Sequence, residues 1–93
     1  MINVQDEEIL EAMRSTGRLT GIFAEPAAAT TVAGLRRAVE GGVIGRKASV
    51  LAVVTGNGLK DIRSAQSAVR EPFDIAPDGT GLGAILKERD LVR

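Results

Sequence analysis

The sequence predicts an α/β fold in which helices pack on an incomplete, mainly parallel sheet. Apolar residues recur at helical spacing in two stretches of the N-terminal half, which predicts two amphipathic helices. Residues 49–54 form a continuous apolar run after an initial serine, and this pattern is typical of a strand covered on both faces. A glycine-containing turn at residues 55–58 follows directly, at the kind of strand end where open α/β sheets bind ligands.

The two N-terminal helices are predicted from the signals at their ends. Residues 2–4 are predicted to form a short edge strand, and Asp6 has the chemistry of an N-cap for the following helix. Gly17 is predicted to end that helix, because glycine readily adopts the left-handed conformation that follows a last helical turn. Pro26 suits the first position of the second helix, since an N–H there would lack a partner. A glycine pair after Glu40 is predicted to stop this helix.

The C-terminal half is predicted to contain two shorter helices, at residues 60–69 and 80–89. The buried strand at residues 49–54 needs parallel neighbours, and the sequence offers only residues 2–4 and 73–75 as further short strands. We therefore interpret residues 1–93 as a single partial α/β domain. The missing strands are expected from an N-terminal part of the protein, from another chain or from a homo-oligomer.

Composition excludes several classes of function. Lysine plus arginine equals aspartate plus glutamate at 12 each, so net charge indicates neither a nucleic-acid nor a membrane partner. The absence of cysteine and histidine excludes thiolate catalysis, disulfides and the commonest metal ligand, and no metal site is predicted. No apolar run is long enough to cross a bilayer and no secretory leader is recognisable, which predicts a cytoplasmic protein.

Residues 55–58 are the candidate ligand site. Thr55 offers a hydroxyl, and Gly56 and Gly58 permit close backbone approaches that a Cβ would block. The alternative is a tight Asn-Gly turn that leaves the strand, with the Thr55 hydroxyl bonded to local backbone. Spacing alone favours the turn, because Asn-Gly is a common turn pair.

The stretch T-G-N-G-L-K-D at residues 55–61 resembles the T-G-N/H-G-L-K-D signature of threonine synthases. Upstream, D-E-E-I-L-E-A-M at residues 6–13 and G-I-F-A-E-P-A at residues 21–27 are similar to the preceding stretches of that family, in the same order. The family-like segment is residues 1–61, and residues 62–93 are interpreted as a C-terminal extension with short helices. The resemblance implies the C-terminal portion of the large domain of a fold-type-II, tryptophan-synthase-β-like enzyme.

This resemblance implies pyridoxal 5′-phosphate as the cofactor of the parent enzyme. The parent reaction converts O-phospho-L-homoserine and water into L-threonine and phosphate. Thr55 is then expected to form a hydrogen bond with the pyridine nitrogen, and Gly56 to let the backbone lie close to the ring. Glu25 and Pro26 are expected to line the pyridine side. The alternative for Glu25 is a carboxylate placed at a helix start by the helix dipole. For Lys60 and Asp61 the sequence favours a solvated pair or a helix start.

Two parts of such an enzyme are not recognisable in the sequence. The family's Schiff-base lysine lies in its N-terminal region, and none of Lys47, Lys60 and Lys87 matches it. The family's phosphate loop also lies upstream, and the glycine-rich residues 79–83 favour a turn before a helix instead. The 93 residues are therefore expected to be inactive alone, and not to bind the cofactor alone.

Two alternatives remain open from the sequence. The first is a non-catalytic, stand-alone interaction or small-ligand module derived from the same fold, completing its sheet as a homo-oligomer. The second is a fragment of a related pyridoxal-phosphate-dependent dehydratase. The Leu59-Lys60-Asp61 continuation argues against the dehydratase, and dehydratases usually carry a Ser-Gly-Gly-Asn type of turn in place of the turn that begins at Thr55.

Overall fold

The computed structural model describes residues 1–90 of the chain, and the last three residues of the predicted C-terminal extension lie outside this range. The described part contains four α-helices and one short 3₁₀ turn. These are α1 (Asp6–Thr20), α2 (Pro26–Glu40), the 3₁₀ turn (Gly58–Lys60), α3 (Ile62–Ala68) and α4 (Leu82–Glu88).

Helix α1 begins one residue earlier and ends later than its sequence signals predict. Gln5 is the N-cap, and its backbone N–H donates a hydrogen bond of 2.7 Å to the Glu8 carboxylate. The helix continues through Gly17 and ends at Gly21, which has φ +75° and donates its N–H to the Gly17 carbonyl. The prediction that Gly17 ends the helix is therefore wrong. A glycine inside a helix costs only about 1 kcal/mol, which packing against a neighbouring element can offset.

Helix α2 has the ends that the sequence predicts. Pro26 is its first residue and Glu40 its last, and the Gly41 N–H donates to the Arg37 carbonyl at 2.8 Å. The first turn contains no acidic residue of its own, and Glu25 occupies the N-cap position just outside it. The positive end of the helix dipole therefore faces the Glu25 residue.

The core lies where α1, α2 and α3 meet, and it is built almost entirely from alanine. Met13 is fully buried and is the largest such side chain among the described residues. Partly buried hydrophobic residues, including Phe23 and Val54, pack against this centre. The other members of the buried cluster are Ala12, Ala24, Ala28, Ala29, Ala33 and Ala68. Such small side chains bury little apolar area each, so this core gives only modest stability.

No strand is formed within residues 1–90, so the predicted sheet is not confirmed. Residues 49–54 lack a partner strand, and Leu51 and Val53 are 89% and 63% exposed. The two proposed neighbours do not pair with them: residues 2–4 lie beside α2, where the Asn3 carbonyl accepts from Arg37, and residues 73–75 are irregular. The physical reason is that a strand needs a neighbour for its backbone N–H and C=O groups. The described part of the chain supplies only one isolated antiparallel bridge, between Ala24 and Asn57.

The two C-terminal helices are shorter than predicted. The predicted helix at residues 60–69 is divided at Asp61, which follows the 3₁₀ turn and caps α3. Helix α4 contains no fully buried residue, although Ile85 and Leu86 are half-buried. Within residues 1–90, none of the helices combines the length and apolarity needed to cross a membrane.

Candidate functional site

Two segments that are distant in sequence meet beside the start of α2. The Glu25 N–H donates to the Gly56 carbonyl at 3.1 Å, and the Gly58 N–H donates to the Phe23 carbonyl at 2.8 Å. These two hydrogen bonds flank the antiparallel bridge between Ala24 and Asn57. We call residues 23–25 and 56–58, joined in this way, the clamp. It brings together the two stretches that the sequence singled out separately.

Gly56 is held in a conformation that only glycine adopts readily. Its φ is +77°, and a Cβ built on its backbone would overlap the carboxylate of Glu25. The Glu25 side chain thus occupies the space that any larger residue would need. The expectation that Gly56 lets its backbone lie close to a cofactor ring stays a prediction, because the Glu25 side chain fills only the position that a Cβ would take.

Gly58 is required by a different neighbour. A Cβ at this position would lie 2.5 Å from two carbons of the Phe23 ring. Gly58 is buried and Phe23 is half-buried, so the ring packs directly on the glycine backbone. Phe23 was not predicted as part of the site. The only signal for it was its place two residues before Glu25 in the family-like stretch.

Glu25 forms an ion pair with Lys60, which lies two residues beyond the clamp. Its Oε2 lies 3.5 Å from the Lys60 Nζ. The Glu25 side chain is only 16% exposed, whereas that of Lys60 is 74% exposed. The helix-start interpretation of Glu25 fits its N-cap position, but the side chain also has a specific partner. Lys60 is solvated as expected, and its partner is Glu25.

Asn57 and Asp61 organise the backbone on the far side of the clamp. The Asn57 Oδ1 accepts from the Leu59 N–H at 2.9 Å, which stabilises the 3₁₀ turn. Asp61 accepts from both the N–H and the hydroxyl of Ser64, at 3.1 Å and 2.8 Å. These hydrogen bonds, the backbone one first, lower the pKa of the Asp61 carboxyl. The interpretation of Asp61 as a helix start is confirmed.

Thr55 lies immediately before the clamp and is exposed. It follows residues 49–54, which belong to no helix or strand, and its own exposure leaves the side chain accessible to a ligand. Pro26 lines a groove of about 260 Å³ together with residues of α1 and Ser64, and Thr55, Gly56 and Glu25 lie outside this groove. The predicted site residues are therefore neighbours on an open surface rather than the lining of one pocket.

The pyridine end of the expected cofactor fits these residues, because a neutral, accessible hydroxyl is a suitable partner for a ring nitrogen. The glycine-rich residues 79–83 do not fit its phosphate. The Thr80 N–H donates to the Asp78 carboxylate at 2.9 Å, so an anionic side chain already uses this donor. The same hydrogen bond is the main cause that lowers the pKa of Asp78. The turn leads into α4, as the sequence indicated.

Comparison with known proteins gives a consistent set of matches. Residues 1–56 match a family model described as "Pyridoxal-phosphate dependent enzyme", a range that contains Glu25, Pro26, Thr55 and Gly56. The threonine synthase of Methanocaldococcus jannaschii is 46% identical over 85 residues, which is 91% of this chain and 21% of that protein. The threonine synthase of Mycobacterium leprae is 38% identical over 87 residues, 94% of this chain and 23% of that protein. That of Mycobacterium tuberculosis strain H37Rv is 50% identical over 72 residues, 77% of this chain and 19% of that protein.

The extent of these matches adds two facts. The chain spans about a fifth of the length of the curated relatives it matches. An alignment of 85 residues cannot be contained in residues 1–61. Similarity to the relatives therefore continues into residues 62–93, where sequence reasoning found no specific resemblance.

Proposed function

The chain belongs to the family of pyridoxal-phosphate dependent enzymes, and on this premise we propose that it forms the C-terminal part of the large domain of a threonine synthase. The whole enzyme would convert O-phospho-L-homoserine and water into L-threonine and phosphate. The observation that carries the proposal is the 46% identity to a threonine synthase over 91% of the chain. The clamp supports it, since both family-like stretches contribute to one surface.

In this function Thr55 contacts the pyridine nitrogen of the cofactor. Bound pyridoxal phosphate supplies an electron sink for bonds at the amino-acid carbon. A carboxylate at the ring nitrogen would hold an added proton there, whereas the neutral Thr55 hydroxyl does not. This suits elimination and replacement at the β and γ positions, which do not need the strongest sink. Gly56 and the Glu25-Pro26 turn form the adjoining surface on the pyridine side.

The remaining four fifths of such an enzyme would supply the covalent lysine, the phosphate loop and the neighbouring strands. Residues 49–54 support this division. Their backbone has no ladder partner among residues 1–90, and Val50, Leu51 and Val53 are exposed apolar side chains. Strand partners on both sides would satisfy the backbone and cover these side chains. A second copy of the chain is the other candidate for this partner.

The test is a chimera in which this chain replaces the 85 aligned residues of the Methanocaldococcus jannaschii threonine synthase. We expect the chimera to bind pyridoxal phosphate and to release phosphate from O-phospho-L-homoserine. Its Thr55→Ala variant is expected to show a shifted cofactor absorption band and a turnover number lower by up to roughly 100-fold, the effect of displacing a reacting group by about 1 Å.

Two matched variants make this test specific. Thr55→Ser keeps the hydroxyl and is expected to retain most of the activity. Thr31→Ala removes a threonine exposed on α2 and is expected to leave band and turnover unchanged. A folded, active chimera whose band and turnover are insensitive to Thr55→Ala would exclude Thr55 as the pyridine contact. A folded chimera that binds no cofactor would contradict the proposed function itself.

A further inference from the structure

The clamp is the main backbone attachment close to Thr55. On its N-terminal side Thr55 joins residues 49–54, which belong to no helix or strand in the described chain. On its C-terminal side Gly56 accepts the hydrogen bond of Glu25 through its carbonyl. The direction of the chain as it leaves Thr55 is therefore set where Gly56 meets Glu25.

The Glu25 side chain attaches the same two segments a second time. Its backbone N–H holds Gly56 at 3.1 Å, while its carboxylate packs over Gly56 and pairs with Lys60 across 3.5 Å. Lys60 belongs to the 3₁₀ turn that begins at Gly58. Glu25, at the start of α2, thus contacts the 55–61 stretch at two places: at Gly56, before the 3₁₀ turn, and at Lys60, the last residue of that turn.

The charge on Glu25 needs a partner in this place. Its side chain is 84% shielded from solvent, taking the complement of its 16% exposure, so water alone hydrates the carboxylate poorly. The positive end of α2 and the Lys60 ammonium both compensate the charge. Without Lys60 the Glu25 carboxylate would be better hydrated if it turned toward water and left the surface of Gly56.

We propose that Glu25 and Lys60 are a pair of positioning residues that hold the turn at residues 56–58 and thereby fix the Thr55 hydroxyl. The role of the Thr55 hydroxyl that this pair positions rests on the proposed function. The clamp itself is a property of this chain. Neither residue is assigned a contact with the reacting atoms. A displacement of about 1 Å can reduce turnover up to roughly a hundredfold, so a positioning pair has a measurable effect on catalysis.

The first experiment measures amide hydrogen exchange in the 93-residue chain. The Glu25 and Gly58 amides are the two donors of the clamp, so their exchange rates report its opening. We expect Lys60→Met to accelerate both rates by roughly two- to five-fold, as for loss of a partly exposed ion pair. Lys60→Arg should keep the rates of the unmodified chain. Lys87→Met, the same change on α4, is the matched control.

A double-mutant cycle separates the pair from independent effects. Glu25→Gln keeps the shape of the side chain and removes its charge. If the two charges act together, the Glu25→Gln/Lys60→Met variant exchanges no faster than the faster single variant. Additive effects would overturn the pairing. Equal rates in the unmodified chain and in Lys60→Met would also overturn it, and so would unprotected Glu25 and Gly58 amides in the unmodified chain.

The second experiment tests positioning in the chimera described above. Lys60→Met is expected to lower kcat several-fold and to alter the cofactor absorption band while the KM for O-phospho-L-homoserine stays constant, because Thr55 does not contact this substrate. Lys60→Arg is expected to restore both. A normal band and kcat in Lys60→Met would overturn the positioning role. A chimera that binds no cofactor before any substitution would contradict the proposed function, while the exchange rates would still decide the pairing.

Discussion

Gly58 carries a prediction at the scale of a single residue. A Cβ there would lie 2.5 Å from the Phe23 ring, so Gly58→Ala should force the two segments of the clamp apart. We expect a loss of about 1–3 kcal/mol in the free energy of unfolding, the usual effect of overpacking, measured by urea denaturation.

Two further variants test the cause of this loss. Phe23→Leu in the Gly58→Ala background should recover part of the stability, because leucine has no ring at this position. Gly34→Ala is the control: nothing lies within 4 Å of the Cβ it would add on α2, so it should stabilise by roughly 0.5–1 kcal/mol. Equal effects at Gly34 and Gly58 would show that the ring contact is not the cause.

At the residue scale, the sequence singled out the two stretches that meet in the clamp, but not the side-chain contacts that join them. The 55–61 motif and the Glu25-Pro26 turn were recognisable because each is a continuous string of letters. The pairing of Glu25 with Lys60, and the contact of Phe23 with Gly58, join residues 35 positions apart. Spacing along a chain does not indicate which loops meet, so neither contact could be predicted.

Helix α1 carries a prediction for its pH dependence. The Gln5 N–H, followed by Arg37, holds the pKa of Glu8 below its usual value. Because the pKa of Glu8 is lower in the folded chain than in the unfolded one, its contribution to stability is fully present above the unfolded-state pKa. It is lost as the pH falls through the folded-state pKa. We expect the urea midpoint to fall on acidification and to fall less in Glu8→Gln. Glu7→Gln makes the same change of net charge without removing these contacts. Its urea midpoint should fall on acidification as much as that of the unmodified chain.

The packing of α1 on its neighbours depends on Met13. Met13 is fully buried in a cluster whose other buried members are alanines, so Met13→Ala would leave a cavity at the centre of the core. We expect a loss of about 2–5 kcal/mol, measured by thermal or urea unfolding, which could unfold a chain with so small a core. Leu19→Ala is the control on the same helix, because Leu19 is 76% exposed and its truncation should have little effect. Similar losses for both variants would contradict this account of the core.

A helix or strand could be predicted where the residues that start and end it are close together in the sequence. The periodicity of α2 and the chemistry of Pro26 are local, and both ends of this helix were predicted correctly. The end of α1 was not, because Gly17 and Gly21 are equally good stop signals until tertiary packing selects between them. Residues 49–54 have the composition of a buried strand, but a strand exists only with a partner, and residues 1–90 contain none for them.

The whole molecule is more extended than a self-contained domain of its length. Its radius of gyration is 16.9 Å, whereas a compact chain of this size would have about 12 Å. This larger radius accompanies a small alanine core around α1, α2 and α3. It also accompanies exposed apolar side chains along residues 49–54. A partner covering those side chains would add the buried area that the described part of the chain lacks.

This surface predicts the behaviour of the isolated chain in solution. Leu51 and Val53 are exposed next to backbone groups that have no ladder partner, so two copies can pair along residues 49–54. We expect self-association at micromolar concentration, measured by sedimentation velocity, and a shift toward monomer in Leu51→Lys, because a charge on a pairing surface opposes it. Leu19→Lys alters a leucine that is similarly exposed on α1, at 76% against 89%, and should leave the association unchanged. A clean monomer before any substitution would show that this segment does not recruit a second copy, and would favour an N-terminal enzyme part as its partner.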